Sequence, residues 1–528
     1  MAETLEAEMT GVAGMAAALG AELAALRADV AAEAAATRAG WCPDGAPERA
    51  GFAAQLENLA AYLALRRRDL TGLQAGLAGL GLSSLGRSEA HVLGTLDAVT
   101  AALAALAGRA PDPARPLPAA GGFAARVAAE RDAIFGADPH GPQTRIMATL
   151  PSGAAEDPAL VAGLIGAGAT ALRINCAYDT PEAWRAMAAL ARAAAKRSGT
   201  DLRIVMDLAG PKVRLAEMRV TETFLAREKP GRLKRLRKAG LAPEREGGRF
   251  LSGDRLRLVR RLSAEPAGAE AVPSHPELLI AAVEGARIWF DDGKLPGRIV
   301  DCDADHALVE FSDLPPEGVR LKPGKGVNLP GAPLGIPALD AADLEALDIV
   351  AEIADAIGFS FVQVPQDIRD LRRALAERLP DGRVPPALVL KIETGLAVAN
   401  LPRLIAEAGA AGPVAVMIAR GDLAVEIGLA RLAEIQEEIL WLCEAAGVPV
   451  VWATQVLETL AREGRATRAE ATDAAMGQRA ECVMLNKGPH AAEAVAFLRG
   501  ILGQMDRHHA KKSARLGPLN AWHAPPGA

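Results

Sequence analysis

The sequence predicts an α/β protein built on a (β/α)₈ (TIM) barrel, with a small β lid domain inserted after the third barrel strand and an N-terminal α-helical region. Three observations predict it. Eight short apolar, β-branched runs occur between Arg145 and Lys487, each followed by a polar or Gly-containing turn and a helical pattern. With one exception they recur about every 30 residues, the spacing of a repeated βα unit. The exception, between Leu208 and Ile357, holds residue-by-residue alternation of the kind half-buried strands show. The chain ahead of Arg145 has no such runs and is rich in Ala, Leu and Glu at helical spacing.

Taken in order, residues 1–109 read as a helical region, a bundle of their own. Helices are expected over residues 1–38, from Glu48 to Leu80 around Leu56, Leu59, Leu63 and Leu65, and from Ser88 to about Leu106. Residues 110–140 are a Pro-rich linker, Ala110 to Pro118, and a lead-in helix, Gly122 to Phe135. The first part of the barrel is expected over 141–215, with strands Arg145–Leu150, Ala171–Cys176 and Arg203–Leu208. The lid domain takes 216–325, with strands at Arg255–Arg260, Ala286–Phe290 and Ala307–Phe311. The rest of the barrel occupies 326–505, with strands Ile357–Gln363, Ala387–Glu393, Ala415–Gly421, Val448–Thr454 and Glu481–Lys487, and a tail follows over 506–528.

Bulk properties exclude some functions. Of 528 residues half are hydrophobic but only 3% aromatic, so Ala, Leu and Val must fill a large core. A net charge of −6, from 65 acidic and 59 basic residues, lacks the basic excess of a nucleic-acid binder. The five cysteines are scattered without a Cys-x-x-Cys pair, which fits a reducing cytoplasm and offers no zinc signature. The acidic, Ala-rich start is not that of a signal peptide, and no apolar run is read as reaching the ~20 residues of a membrane span. A cytoplasmic protein with no membrane or nucleic-acid partner is therefore expected.

In such barrels chemistry sits at the C-terminal ends of the strands. Arg173, Asn175, Asp207, Lys391, Glu393, Arg420, Asp422 and Thr454 all fall there, and burying so many polar groups is costly unless ligands satisfy them. Alternation puts Lys391 and Glu393 on one face of their strand. A lysine beside a carboxylate suits a phosphate and a metal ion; a structural ion pair is the other reading. Gly421 permits close backbone approach to a ligand. Asp422 either caps the helix that follows or joins Glu393 in holding a hard cation such as Mg²⁺.

At this point a resemblance becomes specific. Arg173-Ile174-Asn175, Asp291-Asp292-Gly293, Lys325-Gly326-Val327-Asn328-Leu329-Pro330-Gly331, Lys391-Ile392-Glu393, Ala419-Arg420-Gly421-Asp422-Leu423, Ala453 to Glu458 and Thr467-Arg468-Ala469-Glu470 resemble the signature blocks of the pyruvate kinases, in their order. The similarity covers the barrel and the lid but not residues 1 to about 140, and an equivalent of the family's C-terminal regulatory domain is not expected. The resemblance implies phosphoryl transfer between phosphoenolpyruvate/pyruvate and ADP/ATP, and a homo-oligomer is expected. It further implies that Glu393 and Asp422 ligate Mg²⁺ (or Mn²⁺), and that Lys391 and Arg173 meet the phosphoryl group. Amides of Ala419, Arg420 and Gly421 would hold the substrate carboxylate, Thr454 would sit near the enolate carbon, and Asn175, Arg214 and Lys325 would face the nucleotide phosphates.

The departures from the family are as informative. Most pyruvate kinases use K⁺, yet the acid of the block Asp-Thr-Lys-Gly-Pro-Glu is here Lys212 in Asp207-Leu208-Ala209-Gly210-Pro211-Lys212, and the K⁺-ligating serine is Ala177. Lys212 with Asp207 is thus expected to substitute for the monovalent cation, and K⁺ is not expected to be required; a solvated or salt-bridged Lys212 is the other reading. The family's Ser-Gly-Glu-Thr is replaced by Asn486-Lys487-Gly488-Pro489, a histidine by Tyr178, and Thr-Ile-Gly-Pro by Thr149-Leu150-Pro151-Ser152. These changes fall where a nucleotide would sit. They keep open a same-fold enzyme with another phosphoryl acceptor or enolpyruvate-type substrate. A non-catalytic regulatory protein using its N-terminal helices is a third reading; the joint presence of Lys391, Glu393, Asp422, Arg173 and Thr454 opposes it. A basic run in the lid, Arg227 to Lys238, and the tail Arg507-His508-His509 to Lys511-Lys512 read as solvated surface.

Overall fold

The computed structural model describes residues 2–41, 49, 51–110, 122–227, 246–511 and 513–514, the side chains of 2–10 and 513–514 excepted. The Pro-rich stretch 111–118, the basic residues from Lys229 to Lys238, and Lys512 lie outside them.

Eight parallel strands close a barrel in the order β1-β8-β7-β6-β5-β4-β3-β2. They are β1 (Arg145–Thr149), β2 (Ala171–Asn175), β3 (Arg203–Asp207), β4 (Ala356–Phe359), β5 (Ala387–Ile392), β6 (Val414–Ala419), β7 (Val450–Ala453) and β8 (Cys482–Leu485). Each lies within or next to an apolar run. Met147, Val205, Val389, Met417, Val451 and Met484 point inward and fill the barrel, while the alternate residues join the core under the outer helices.

Among the described residues five α-helices precede β1: α1 (Ala2–Ala39), α2 (Phe52–Arg66), α3 (Thr71–Gly79), α4 (Val92–Leu106) and α5 (Gly122–Phe135). The outer layer contains α6 (Pro158–Ala167), α7 (Pro181–Ser198), α8 (Ala341–Ile353), α9 (Pro365–Ala376), α10 (Gly395–Gly409), α11 (Arg420–Ile427), α12 (Leu429–Ala446), α13 (Arg468–Met476) and α14 (Ala491–Met505). The expected single pattern from Glu48 to Leu80 is two helices, because the chain turns at Arg67–Leu70.

The N-terminal helices are not a separate bundle. Their buried residues, among them Leu23, Leu56 and Leu96, belong to the same apolar cluster as the barrel's outer layer. Phe52 packs on Gly409 of α10 so closely that a Cβ there would lie 1.9 Å from its ring. Asn58 fastens the joint, donating to Glu89 O at 2.6 Å and Ala445 O at 2.8 Å and accepting from Val92 N at 2.8 Å. At the N-terminal ends of the strands, Ile134 and Phe135 of α5 are fully buried in the inward-facing cluster and form the floor of the barrel. Arg145 holds that helix through Asp132, at 2.8 Å.

One sequence expectation is corrected. Gly11–Ala39 and Glu89–Leu106 are, by length and composition alone, long and apolar enough to cross a membrane. The apolarity of the first comes mostly from alanine and that of the second from leucine and valine interrupted by polar residues. In the fold α1 and α4 pack on each other.

The lid is a seven-stranded sheet beside a two-stranded one, running from Leu215–Arg219 to Val327–Asn328. It has its own apolar core, in which Phe250 and Phe290 each meet Phe311, at 5.1 and 5.5 Å between ring centres. Arg227, the first residue of the basic run, pairs with Asp254. The tail is also less solvated than expected: His509 is half-buried in a short hairpin, and Lys511 pairs with Glu481 at 2.6 Å.

Candidate active site

The ends of β2, β3, β5 and β6 bring together one network of charges. Lys391 Nζ donates to Ser360 Oγ at 2.7 Å and lies 3.3 Å from Glu393 Oε1 and 3.4 Å from Asp207 Oδ2. Arg173 meets the same Asp207 oxygen through Nε at 2.8 Å and reaches Thr149 Oγ1 at 3.1 Å. All four charged groups are buried. Burial alone would lower the Lys391 ammonium, but Glu393 and Asp207 outweigh it and hold it above the usual lysine value. Burial likewise pushes Asp207 up, and Arg173 with Lys391 overcomes it, leaving that carboxyl below the usual range.

Glu393 behaves differently. Burial, joined by the nearby charge of Asp422, raises its carboxyl despite Lys391 and the Phe361 N–H that it accepts at 2.7 Å. Two carboxylates from adjacent strand ends repelling one another are the donor set a hard cation neutralises. No group of three or more His, Cys, Asp or Glu side chains suited to a metal ion occurs among the described residues. Glu393 and Asp422 therefore fit Mg²⁺ only as a partial shell that substrate oxygens and water would complete.

Lys212 stands where the sequence did not put it. Its Nζ donates to Asp422 Oδ1 at 2.7 Å and to Asp292 Oδ1 of the lid at 2.9 Å, whereas Asp207 pairs with Arg173 and Lys391. The expected joint site of Lys212 and Asp207 is thus two sites, because Asp207 already has two buried cations. Of the residues left for K⁺, Ala177 has no hydroxyl and Asn175 Oδ1 accepts from Ala177 N at 3.0 Å, while Asp207 Oδ1 is buried beside Gly358 without a hydrogen-bond partner.

Beyond β7 the backbone is strained. Thr454, Gln455 and Leu457 have φ of 66°, 57° and 49°, as does Phe361 beyond β4, at 54°. A β-branched residue held left-handed costs of order 1–3 kcal/mol and persists where the surroundings over-determine it. Here Thr454 Oγ1 accepts from Gly421 N at 2.8 Å. Arg420 donates to Ala453 O and Thr454 O, pairs with Asp473 and stacks 4.5 Å from the Trp452 ring. Its side chain is committed there, so what Ala419–Gly421 offer a ligand is backbone at the start of α11.

The expected nucleotide contacts divide. Asn175 lines a cavity of about 290 Å³ with Arg173, Tyr178, Arg462 and Lys487. Lys487 Nζ sits 4.4 Å from the Tyr178 ring centre, and Trp184 Nε1 fixes the Tyr178 carbonyl at 2.8 Å. Arg214 and Lys325 instead hold the lid: Arg214 donates to Gly324 O at 3.0 Å, and Lys325 pairs with Asp291 at 2.7 Å. Sequence reasoning missed Ser360, whose hydroxyl links Lys391 to Leu208 O, and Asp343, whose carboxylate accepts from Ala209 N. A serine and an aspartate outside any block carry no signal of their own.

The chain is similar to known proteins in sequence and in fold. The family model of the pyruvate kinase barrel domain matches residues 262–495. The pyruvate kinase of Methylorubrum extorquens is 31% identical over 376 residues, 69% of this chain and 69% of that protein. Pyruvate kinase 1 of Trypanosoma brucei brucei is 29% identical over 347 residues, 64% of this chain and 62% of its own length. A crystal structure of a pyruvate kinase from Cryptosporidium parvum, 24% identical, superposes with a TM-score of 0.58 over 71% of this chain and 70% of that one, which shows the shared fold. The chain belongs to the pyruvate kinase family.

Proposed function

We propose that the protein transfers the phosphoryl group of phosphoenolpyruvate to ADP, giving pyruvate and ATP, with Mg²⁺ and without K⁺. The observation that carries this reading is the buried Lys391 ammonium, set between Glu393 and Asp207 with Arg173 beside it. Phosphoryl transfer asks for positioning and charge neutralisation more than for covalent chemistry. Lys391 and Arg173 would neutralise the phosphoryl oxygens as the bond to the enol oxygen breaks and the bond to the acceptor forms. Glu393 and Asp422 would hold the divalent cation, which when bound neutralises further phosphate charge. Amides at the start of α11 other than that of Gly421, which donates to Thr454, would orient the substrate carboxylate. Thr454 Oγ accepts the Gly421 N–H, which leaves its own O–H to act as donor where the enolate carbon takes its proton.

A coupled assay with phosphoenolpyruvate and a panel of nucleoside diphosphates tests this. Turnover should need Mg²⁺, stay level when Na⁺ replaces K⁺, and fall on the order of a thousandfold in Lys391→Ala. Folded protein with no turnover on any nucleotide would sink the reading, and a strict K⁺ requirement would sink its cation part. A different phosphoryl acceptor is the second reading, favoured by Lys487 over Tyr178 in the cavity beside Arg173. If the acceptor's phosphate meets Lys487, Lys487→Ala should raise the acceptor's Michaelis constant about tenfold and leave that of phosphoenolpyruvate unchanged. Unchanged constants for both would remove Lys487 from the site.

A further inference from the structure

The lid leaves the barrel through Leu208–Lys212, and this turn is fastened along its length. Leu208 O accepts from Ser360 Oγ at 2.7 Å. Ala209 N and Gly210 N donate to the Asp343 carboxylate, at 2.8 Å to Oδ1 and 3.1 Å to Oδ2. Gly210 has φ of 70°, and a Cβ there would lie 2.8 Å from Ser360 Cβ, so the turn has little room to seat differently. Two residues on, Lys212 reaches Asp422 on the barrel and Asp292 on the lid.

Asp343 lies in the first turn of α8 and is 1% exposed. Its own N–H donates to Asp340 Oδ1 at 2.8 Å, and its carboxylate accepts from the turn. No Lys, Arg or His pairs with it among the described residues. Burial, with the charge of Asp340, pushes its carboxyl up to about 6, although the loop amides oppose this. A buried acid without a counter-ion is costly to keep; the first turn of α8 favours a carboxylate, and the two turn amides are the groups that receive it.

We propose that Asp343 is a positioning residue: by holding the Ala209 and Gly210 amides it sets the lid hinge so that Lys212 spans from Asp422 to Asp292. This deepens the phosphotransferase reading and rests on it for the activity measurements alone.

The test compares the full chain with Asp343→Asn, Lys212→Ala and the double variant. Hydrogen exchange over residues 207–216 should quicken about tenfold in Asp343→Asn, with the rest of the barrel unchanged and the melting temperature not lowered. The turnover number should fall about tenfold in the single variant, and by no more than about twofold when Lys212 is already alanine. Unchanged exchange over 207–216 would overturn the proposal. So would equal losses in both backgrounds, or faster exchange throughout the barrel with a lower melting temperature. If the unaltered chain turns over no nucleotide, the phosphotransferase reading fails and the exchange measurement alone decides on Asp343.

Discussion

Asp207 and Asp343 stand near the mouth of the same barrel, both almost wholly buried, and titrate in opposite directions. Asp207 has two cations, so its folded value lies below the unfolded one of about 3.9. Its contribution to stability is present above that value and is lost as the pH falls through the folded value. Asp343 has none, and its folded value of about 6 lies above the unfolded one. Its contribution is therefore fully present only below about pH 4 and is lost as the pH rises toward about 6. Asparagine mimics the protonated form, so the melting temperature of Asp343→Asn should gain on the unaltered chain across that window and run parallel above it. Thermal melts at stepped pH check this; a gap that does not change with pH refutes it. Gly358 supplies a second residue-scale prediction. Its missing Cβ makes room for Asp207 Oδ1, so Gly358→Ala should cost at least about 1–3 kcal/mol in denaturant unfolding, the usual range for overpacking. At this scale Lys391, Glu393, Asp422 and Arg173 were legible because strand-end position marks them and the resemblance of their blocks to a known family groups them. Ser360 and Asp343 were not, since each matters only through a partner far along the chain.

Helical periodicity located α1, α2, α4 and α5, and apolar runs located all eight barrel strands, because burial on one face leaves its period in the residues. The break between α2 and α3 was not visible. Its first residues, Arg67 and Arg68, favour helix, and the turn is held by Arg68 pairing with Glu33 of α1 at 2.7 Å. The contact of α2 with α10 and α12 was equally hidden. Asn58 bridges three backbone groups there, so Asn58→Leu should strand buried polar atoms and cost about 1–3 kcal/mol. Faster proteolysis within residues 52–106 of that variant, with barrel activity retained, would be the visible sign; wild-type resistance would argue that the joint is held without Asn58, by Phe52, Gln55 and Arg66.

At the scale of the whole molecule the N-terminal region and the barrel share one core, while the lid keeps its own. Truncations should reveal this division. Removing residues 1–121 uncovers the apolar faces of α10 and α12 but leaves α5 in place, so the product should fold with lower solubility. Removing 1–135 also takes Ile134 and Phe135 from the barrel floor, and that chain should lose cooperative unfolding. Equal thermal stability of the two truncations would show that α5 is dispensable.

The sequence by itself determined the architecture and which polar residues stand at the strand ends. Period, spacing and polarity are properties of neighbours along the chain, and eight repeats make coincidence a poor account of them. Only the tertiary structure decided which charge meets which. Lys212 lies five residues from Asp207 yet pairs with Asp292 and Asp422, because the turn at Gly210 carries it out of the barrel to the lid hinge, and Asp207 is already neutralised from β2 and β5. Pairing of buried charges depends on distance in space, to which distance along the chain is no guide once a barrel has closed.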